Sequence, residues 1–300
     1  MVLRYRPIIY GNPTAPDQGN SALTASITDL SALGESLRRH DHDRYATAMF
    51  ADPARRGDLW ALYAFNLELS QIRTQVREPL AGMIRLQWWR DVVEGARREE
   101  AMRHPVGGPL LDLIERRQLQ LTDVHDLIDV RQHDLDPAPF TTIADWQEYG
   151  RRSSGGLARL AATVLGAEDC AAAQSAGTAW ALTGLLRSLP FHLAQGWCSL
   201  PADVLAGQGV SSDEVLSAAV DKTALAASVL TLTDLVEPHL RQSRRLRVPR
   251  TALPALLPAV LAGAHLRRIR SLGGDVFDSR SYRPRPMPVR LAWAALRGRV

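Results

Sequence analysis

Side chains do chemistry when they carry charge or lone pairs and are spaced so as to meet, and three stretches of this 300-residue sequence invite that test. His40, Asp41, His42 and Asp43 alternate two metal-ligand types. Neighbours in sequence point to different sides of a helix, so the spacing favours a solvated turn over a metal site. Asp126 and Asp129 lie three apart and share a helical face, where two carboxylates either grip a divalent cation or form a solvated acidic surface. Cys170 and Cys198 are the only cysteines and are far apart, without metal-ligand or disulfide-framework spacing. That pattern points to a reducing compartment.

Composition narrows the classes. Hydrophobic residues make up 46% and charged residues 23%, an ordinary globular mixture long enough for one large domain or two small ones. A net charge of +4 does not imply nucleic acid unless it is localised, and no nucleic-acid partner is expected. Lys222 is the only lysine, which reads first as arginine-codon preference and only second as phosphate chemistry. Segment 1–22 is rich in Pro, Gly, Asn and Asp and is expected to fray. It lacks the apolar core of a secretory leader, and Asp17 and its prolines argue against a transit helix. The best apolar run, Ala252 to Ala264, is short and broken by Pro254 and Pro258, so no membrane span is expected. The expectation is a cytoplasmic protein, soluble or peripheral on the inner face of the membrane.

The elements that must position any site are helices. Leu59, Leu62, Phe65, Leu69 and Ile72 recur at spacings of three and four, and after Glu78-Pro79 a second apolar set, Met83, Leu86, Trp89 and Val93, predicts the other arm of a hairpin. Trp60, Trp88 and Trp89 belong to this core rather than to a ligand box. Further helices are expected over 23–39, 110–119 after a Val106-Gly107-Gly108 break, 122–136 with Thr122 as cap, 145–165, 171–189, 211–219, 221–245 and 251–271. The 171–189 stretch is rich in small residues, as a closely packed central helix requires. Leu225, Val229, Leu232, Val236 and Leu240 form a sustained stripe, with Pro238 near its end. Strand-type alternation is absent, and the fold class is all-α, a single-domain bundle over 23–274.

Tyr63-Ala64-Phe65 and Trp88-Trp89-Arg90-Asp91 resemble the first long helix pair of the squalene and phytoene synthases, all-helical enzymes that condense two prenyl diphosphates around a central cavity. Leu182, Thr183, Leu186, Arg187, Leu200 and Pro201 match their second conserved segment at the same spacing. Tyr149 to Gly155 resembles their Tyr-rich turn lining the substrate tunnel, its glycine at Gly155. The resemblance implies the trans-isoprenyl diphosphate synthase fold. In those enzymes aspartates hold the Mg²⁺ that holds substrate diphosphate. Here the corresponding positions are Ser70, Gln71 and Thr74 on the first helix and Ser188 and His192 on the second, with Gly184 for an asparagine and Pro190 bending the chain.

None of these positions is acidic. Mg²⁺ needs hard oxygen ligands and compensating charge, which neutral Ser, Thr and Gln oxygens do not supply together. Neither a catalytic residue, a metal nor an Mg²⁺ cofactor is therefore expected. The resemblance leaves Glu68, Gln71, Arg73, Tyr149, Gly155, Arg187 and His192 as a presumed pocket, its polar groups either satisfying one another or binding an anionic lipid or diphosphate without metal. Phe65 to Gln71 and Leu189-Pro190-Phe191-His192 resemble more specifically the branch that includes the mitochondrial assembly factor of respiratory complex I. That branch implies a non-catalytic role in assembling this membrane complex, with its subunits or assembly intermediates as partners. The alternatives are a prenyltransferase of the family's own type and a lipid or isoprenoid carrier.

From 275 to 300 the character changes. Tyr282 to Pro288 is Pro- and Arg-rich and is expected to be extended. Leu291, Trp293 and Leu296 beside Arg290, Arg297 and Arg299 then form a short basic amphipathic helix, which either lies on an anionic membrane or docks back on the bundle.

Overall fold

The structure is a computed structural model that describes residues 21–136, 138–246, 248–283 and 286–300, with side chains from Leu30 onward. The segment expected to fray lies, up to residue 20, outside the described residues, as do Pro284 and Arg285 of the expected linker. The described residues form helices and no strand. The long ones are α1 (Ser21–His40), α2 (His42–Ala48), α3 (Pro53–Gln75), α4 (Pro79–Val93), α5 (Gly107–Arg117), α6 (Leu121–Asp129), α7 (Ile143–Gly150), α8 (Gly156–Val164), α9 (Ala171–Arg187), α10 (Lys222–Arg245), α11 (Pro258–Ser271) and α12 (Pro288–Arg297).

The axis is α9, which packs against α7, α8, α10, α11 and the π-helical turn Arg151–Gly155 that joins α7 to α8. Its small residues let the neighbouring backbones approach. A methyl group on Gly177 would overlap the Ser154 carbonyl oxygen, and one on Gly155 would meet Thr178 Oγ1 at 2.6 Å. The expected stripe of α10 is buried throughout at Leu225, Val229, Leu232, Val236 and Leu240, each such side chain contributing about 1.5–3 kcal/mol. Pro238 sits inside this helix without ending it. On the other flank α3 and α4 form the predicted hairpin. Asp52 caps α3 by accepting from the Ala54 N–H at 2.9 Å, and Pro53 and Pro79 open α3 and α4.

Several expectations are corrected. Met83 is exposed, and Gly82 takes the inward place because α4 presses on Leu135 there, a Cβ being only 2.5 Å from Leu135 Cδ2. Gly107 and Gly108 begin α5 rather than separate it from the hairpin. Thr122 is not a cap: α6 starts at Leu121 after Gln120 and ends at Asp129, with a separate turn over Gln132–Leu135. The segment expected as 251–271 is interrupted at Leu257-Pro258. In the tail, Leu291 and Ala294 are buried against Leu253, Leu257 and Leu261, while Trp293 and Leu296 stay exposed. Leu291 is thus taken up by packing and is not free for a membrane.

The α9 contact yields a paired test. Gly177→Ala forces the Ser154 backbone away and is expected to destabilise by roughly 1–3 kcal/mol. Gly184 lies in the same helix with open space at its Cβ, so Gly184→Ala should stabilise by up to about 1 kcal/mol through helix propensity. Urea unfolding of both variants measures the pair, and equal effects would refute the close approach.

Candidate functional site

The presumed pocket residues separate into groups. One forms around Asp134, in the short turn after α6. Tyr149 Oη donates to Asp134 Oδ1 at 2.7 Å, Arg131 Nη1 donates to Asp134 Oδ2 at 3.1 Å, and Arg73 Nη1 donates to the Asp134 backbone carbonyl at 3.1 Å. Arg131 also reaches Tyr149 Oη at 3.2 Å and Asn66 Oδ1, on α3, at 3.0 Å. The early end of α6 turns Arg131 into the interior. Burial opposes its charge, yet Tyr149 and Asp134 outweigh burial and hold its pKa above the ordinary value. Burial and then the Asp134 charge push the Tyr149 phenol upward.

His192 belongs to this group through its surroundings. Its Nδ1 lies 2.9 Å from Ser199 Oγ, and its ring packs 4.5 Å from that of Trp197. Burial lowers its pKa to about 4, with Asp134 opposing and Arg73 adding to the fall. Trp197, His133, Phe140 and Tyr149 continue the aromatic packing, His133 stacking on Phe140 at 4.2 Å. Arg73 also donates to the Gln195 carbonyl at 3.4 Å, so one guanidinium joins the first motif helix to the second motif segment. Beside it opens a cavity of about 420 Å³ lined by Arg73, Thr74, Val76, Arg77, Pro79, Leu135 and Gln195.

The other expected residues lie elsewhere. Gln71 accepts from Gln75 on its own helix at 3.2 Å. Burial pushes the Glu68 carboxyl upward, with Arg85 opposing. Gly155 serves the α9 contact. Arg187 is half-buried near Asp43 of α2 and His265 of α11, and burial pushes its pKa down while Asp43 opposes. Its Nε has no hydrogen-bond partner among the described residues. Asp43 is in turn pushed up by burial, with Arg187 opposing.

The donors at the expected metal positions are turned inward on their own helix. Ser70 Oγ donates to the Leu67 carbonyl at 2.8 Å and Thr74 Oγ1 to the Gln71 carbonyl at 2.9 Å, both on exposed side chains. Ser188 ends α9, its N–H bonded to the Gly184 carbonyl at 2.9 Å. Among the described residues no group of three or more His, Cys, Asp or Glu is placed to hold a metal ion. Asp129 pairs with Arg90 at 2.6 Å and Asp126 with Arg152 at 2.7 Å. The His-Asp run is a solvated turn only at its histidines, since His40 and His42 are exposed while Asp41 and Asp43 are half-buried. Asp41 caps α2 and pairs with a mostly buried Arg44, which donates to Ser154 Oγ at 2.9 Å.

A squalene/phytoene synthase family model matches residues 37–288. The chain belongs to that family. It is 29% identical over 276 residues to the Bos taurus protein named NADH dehydrogenase (ubiquinone) complex I, assembly factor 6, covering 90% of this chain and 81% of that one. In fold it is similar to the squalene synthase HpnC of Alicyclobacillus acidocaldarius, with TM-score 0.72, 21% identity and coverage of 83% of this chain and 96% of that one. A dehydrosqualene synthase solved with a ligand aligns at TM-score 0.76 and 17% identity, over 92% of this chain and 98% of the other.

Asn66, Arg131 and Asp134 were not singled out from sequence. Asn66 alone left a signal, a polar residue inside the Leu62–Phe65–Leu69 stripe. Arg131→Leu removes the charge partner of the partly buried Asp134 carboxylate and is expected to cost about 3 kcal/mol, the lower end for a buried pair. Tyr149→Phe, losing the short hydrogen bond donated to Asp134 and the longer one accepted from Arg131, should cost about 1.5–3 kcal/mol. Denaturant unfolding ranks them, and a larger loss for Tyr149→Phe would overturn the assignment of Arg131 as the balancing charge.

His192 makes stability pH-dependent. Its folded pKa of about 4 lies below the ordinary 6.5, so the unfolded chain binds the proton more readily. The contribution is complete above pH 6.5, falls as pH drops toward about 4, and falls no further below that. The loss is expected to be on the order of 1–3 kcal/mol. His192→Gln should flatten that limb in unfolding measured from pH 7 to 4; an unchanged slope would assign it to other groups.

Proposed function

We propose that this chain is a non-catalytic member of its family that acts in the assembly of respiratory complex I. The observation that carries the reading is the state of the diphosphate-holding positions. Ser70 and Thr74 satisfy carbonyls of their own helix, and Arg73 is spent on the Asp134 and Gln195 carbonyls. Mg²⁺ asks for several carboxylate oxygens at near-octahedral geometry. Neutral hydroxyls, an amide and a low-pKa histidine do not match that set, so Mg²⁺ is not a cofactor and allylic diphosphate is not ionised here. The relative named as a complex I assembly factor supports the biological side. Its partners are then complex I subunits or assembly intermediates, met at the inner face of the cytoplasmic membrane.

A carrier of an anionic lipid or isoprenoid is the second reading. It is favoured by the cavity beside Arg73 and Arg77, whose walls include Val76, Pro79 and Leu135. The decisive comparison is one deletion strain in which assembled complex I, its NADH oxidation and membrane isoprenoids are all measured. The expected result is reduced complex I with unchanged isoprenoids. Normal complex I with depleted squalene or carotenoid would restore the enzyme reading, and purified protein forming squalene or phytoene from prenyl diphosphates with Mg²⁺ would do the same.

A further inference from the structure

The tail helix α12 has two apolar faces. Leu291 and Ala294 point into the bundle, and Ala295 is half-buried beside them. At 3.6 residues per turn Val289, Trp293 and Leu296 fall on the opposite side, at 80%, 57% and 73% exposure. Docking on the bundle accounts for the first face and leaves the second without a purpose. Arg290 and Arg297 lie between the two faces, and the Arg297 guanidinium stands 4.7 Å from the Trp293 ring centroid.

The charge around this face is not neutralised. Elsewhere several buried or half-buried arginines hold carboxylates, as Arg90, Arg117, Arg131, Arg152 and Arg159 do. Arg244, Arg267, Arg290, Arg297 and Arg299 form no ion pair among the described residues. Glu237, the acid that acts on Arg267, is itself held by Arg270 at 2.7 Å. Arg244 and Arg267 lean over the same glycine, a Cβ on Gly263 lying 3.4 Å from Arg244 Nη2 and 3.6 Å from Arg267 Nη1. Arg290 adds to this crowding: burial first, then Arg290 and Arg244, push the Arg267 pKa down. A cavity of about 290 Å³ next to the tail is lined by Arg244, Arg245 and Arg299 together with Leu253 and Leu256.

We propose that the outward face of α12, with Val289, Trp293 and Leu296 as its apolar row and Arg290, Arg297, Arg244 and Arg267 as its basic border, seats the protein in the plane of an anionic phospholipid membrane. A bilayer surface offers both things this face lacks, an apolar layer for the row and phosphates for the arginines. A neutral apolar partner would leave the arginines facing one another. Among the described residues no helix is long and apolar enough to cross a membrane, so the contact is interfacial. It stands apart from the role in complex I assembly and is tested apart from it.

The full chain is mixed with vesicles of phosphatidylcholine alone, or with about a third phosphatidylglycerol, and co-sedimented across a salt series. Binding is expected with the anionic vesicles only and should weaken with salt. Val289→Ser, Trp293→Ser and Leu296→Ser together should abolish it. Arg290→Gln and Arg297→Gln should each weaken it roughly fivefold. All five side chains are exposed, so the variants should keep the parent unfolding midpoint, which confirms that they fold. Trp293→Phe should remove the emission shift that accompanies vesicle binding. Equal binding to neutral vesicles would overturn the proposal, as would unaltered binding by the triple variant. Concentration-dependent self-association that the triple variant loses would assign the face to a second copy of this chain instead.

Discussion

The contact between Gly177 of α9 and the Ser154 carbonyl sets the positions of the surrounding elements. It exists because α9 carries glycine and alanine where other helices carry branched residues, and because the facing chain makes a π turn at Arg151–Gly155. A π turn inserts a residue into the α repeat, so the faces of α7 and α8 no longer line up. Tyr149, before the turn, thereby points to Asp134, and Ser154, within it, points to Arg44. With α10 and α11 packed on its other sides, α9 is surrounded. A surrounded helix needs no polar face, and its sequence accordingly shows small residues rather than a stripe.

Two charge groups at least half-buried in the bundle, one at Arg131 and one at Arg187, resolve the same conflict differently. At Arg131 the favourable terms from Tyr149 and Asp134, with hydrogen bonds to Asn66, Tyr149 and Asp134, exceed the cost of burial. The charged form is secured. At Arg187 burial exceeds the attraction of Asp43, with which it forms no ion pair among the described residues, and the pKa values of both move toward the neutral forms. The difference is geometric, because hydrogen-bonded contact recovers what desolvation takes and a charge at a distance does not. The first group therefore fastens α3, the 132–135 turn and α7 together. The second is the less settled half of the interior.

Helix positions were legible wherever an apolar stripe faced a single neighbour, as in α3 and α10. The reading failed where backbone approach replaced side-chain packing. Gly82 displaced Met83 because Leu135 comes too close for any side chain, and periodicity does not register a contact made by a hydrogen atom. It failed again at Thr122, a residue type that favours caps on average, in a stretch where α6 starts one position earlier and stops short so that Arg131 can turn inward. The site was legible in outline, through the positions aligned with the family's aspartates, but not in partnership. Arg73 and Arg187 looked equivalent as cations near one cavity. They lie in different charge groups, because the partners that distinguish them, Asp134 and Asp43, come from distant parts of the chain.

The abundance of arginine does not decide where each guanidinium points. From α4 to α8 many arginines are matched by a carboxylate of this chain or by backbone carbonyls, and Asp58 alone accepts from both Arg116 and Arg117. Charge balanced in this way has little left to offer an incoming diphosphate, since each guanidinium would have to abandon a partner to bind it. Around Arg244, Arg267 and Arg290 the matching lapses, although Arg270 of α11 is held by Asp234 and Glu237, and like charges are held side by side despite mutual repulsion. Such an arrangement is stable in water only because solvent and salt screen it, and it gains whenever an external anionic surface comes near. The paired guanidiniums between α4 and α8 thus have internal partners, while Arg244, Arg267, Arg290, Arg297 and Arg299 form no ion pair among the described residues and keep their charge available.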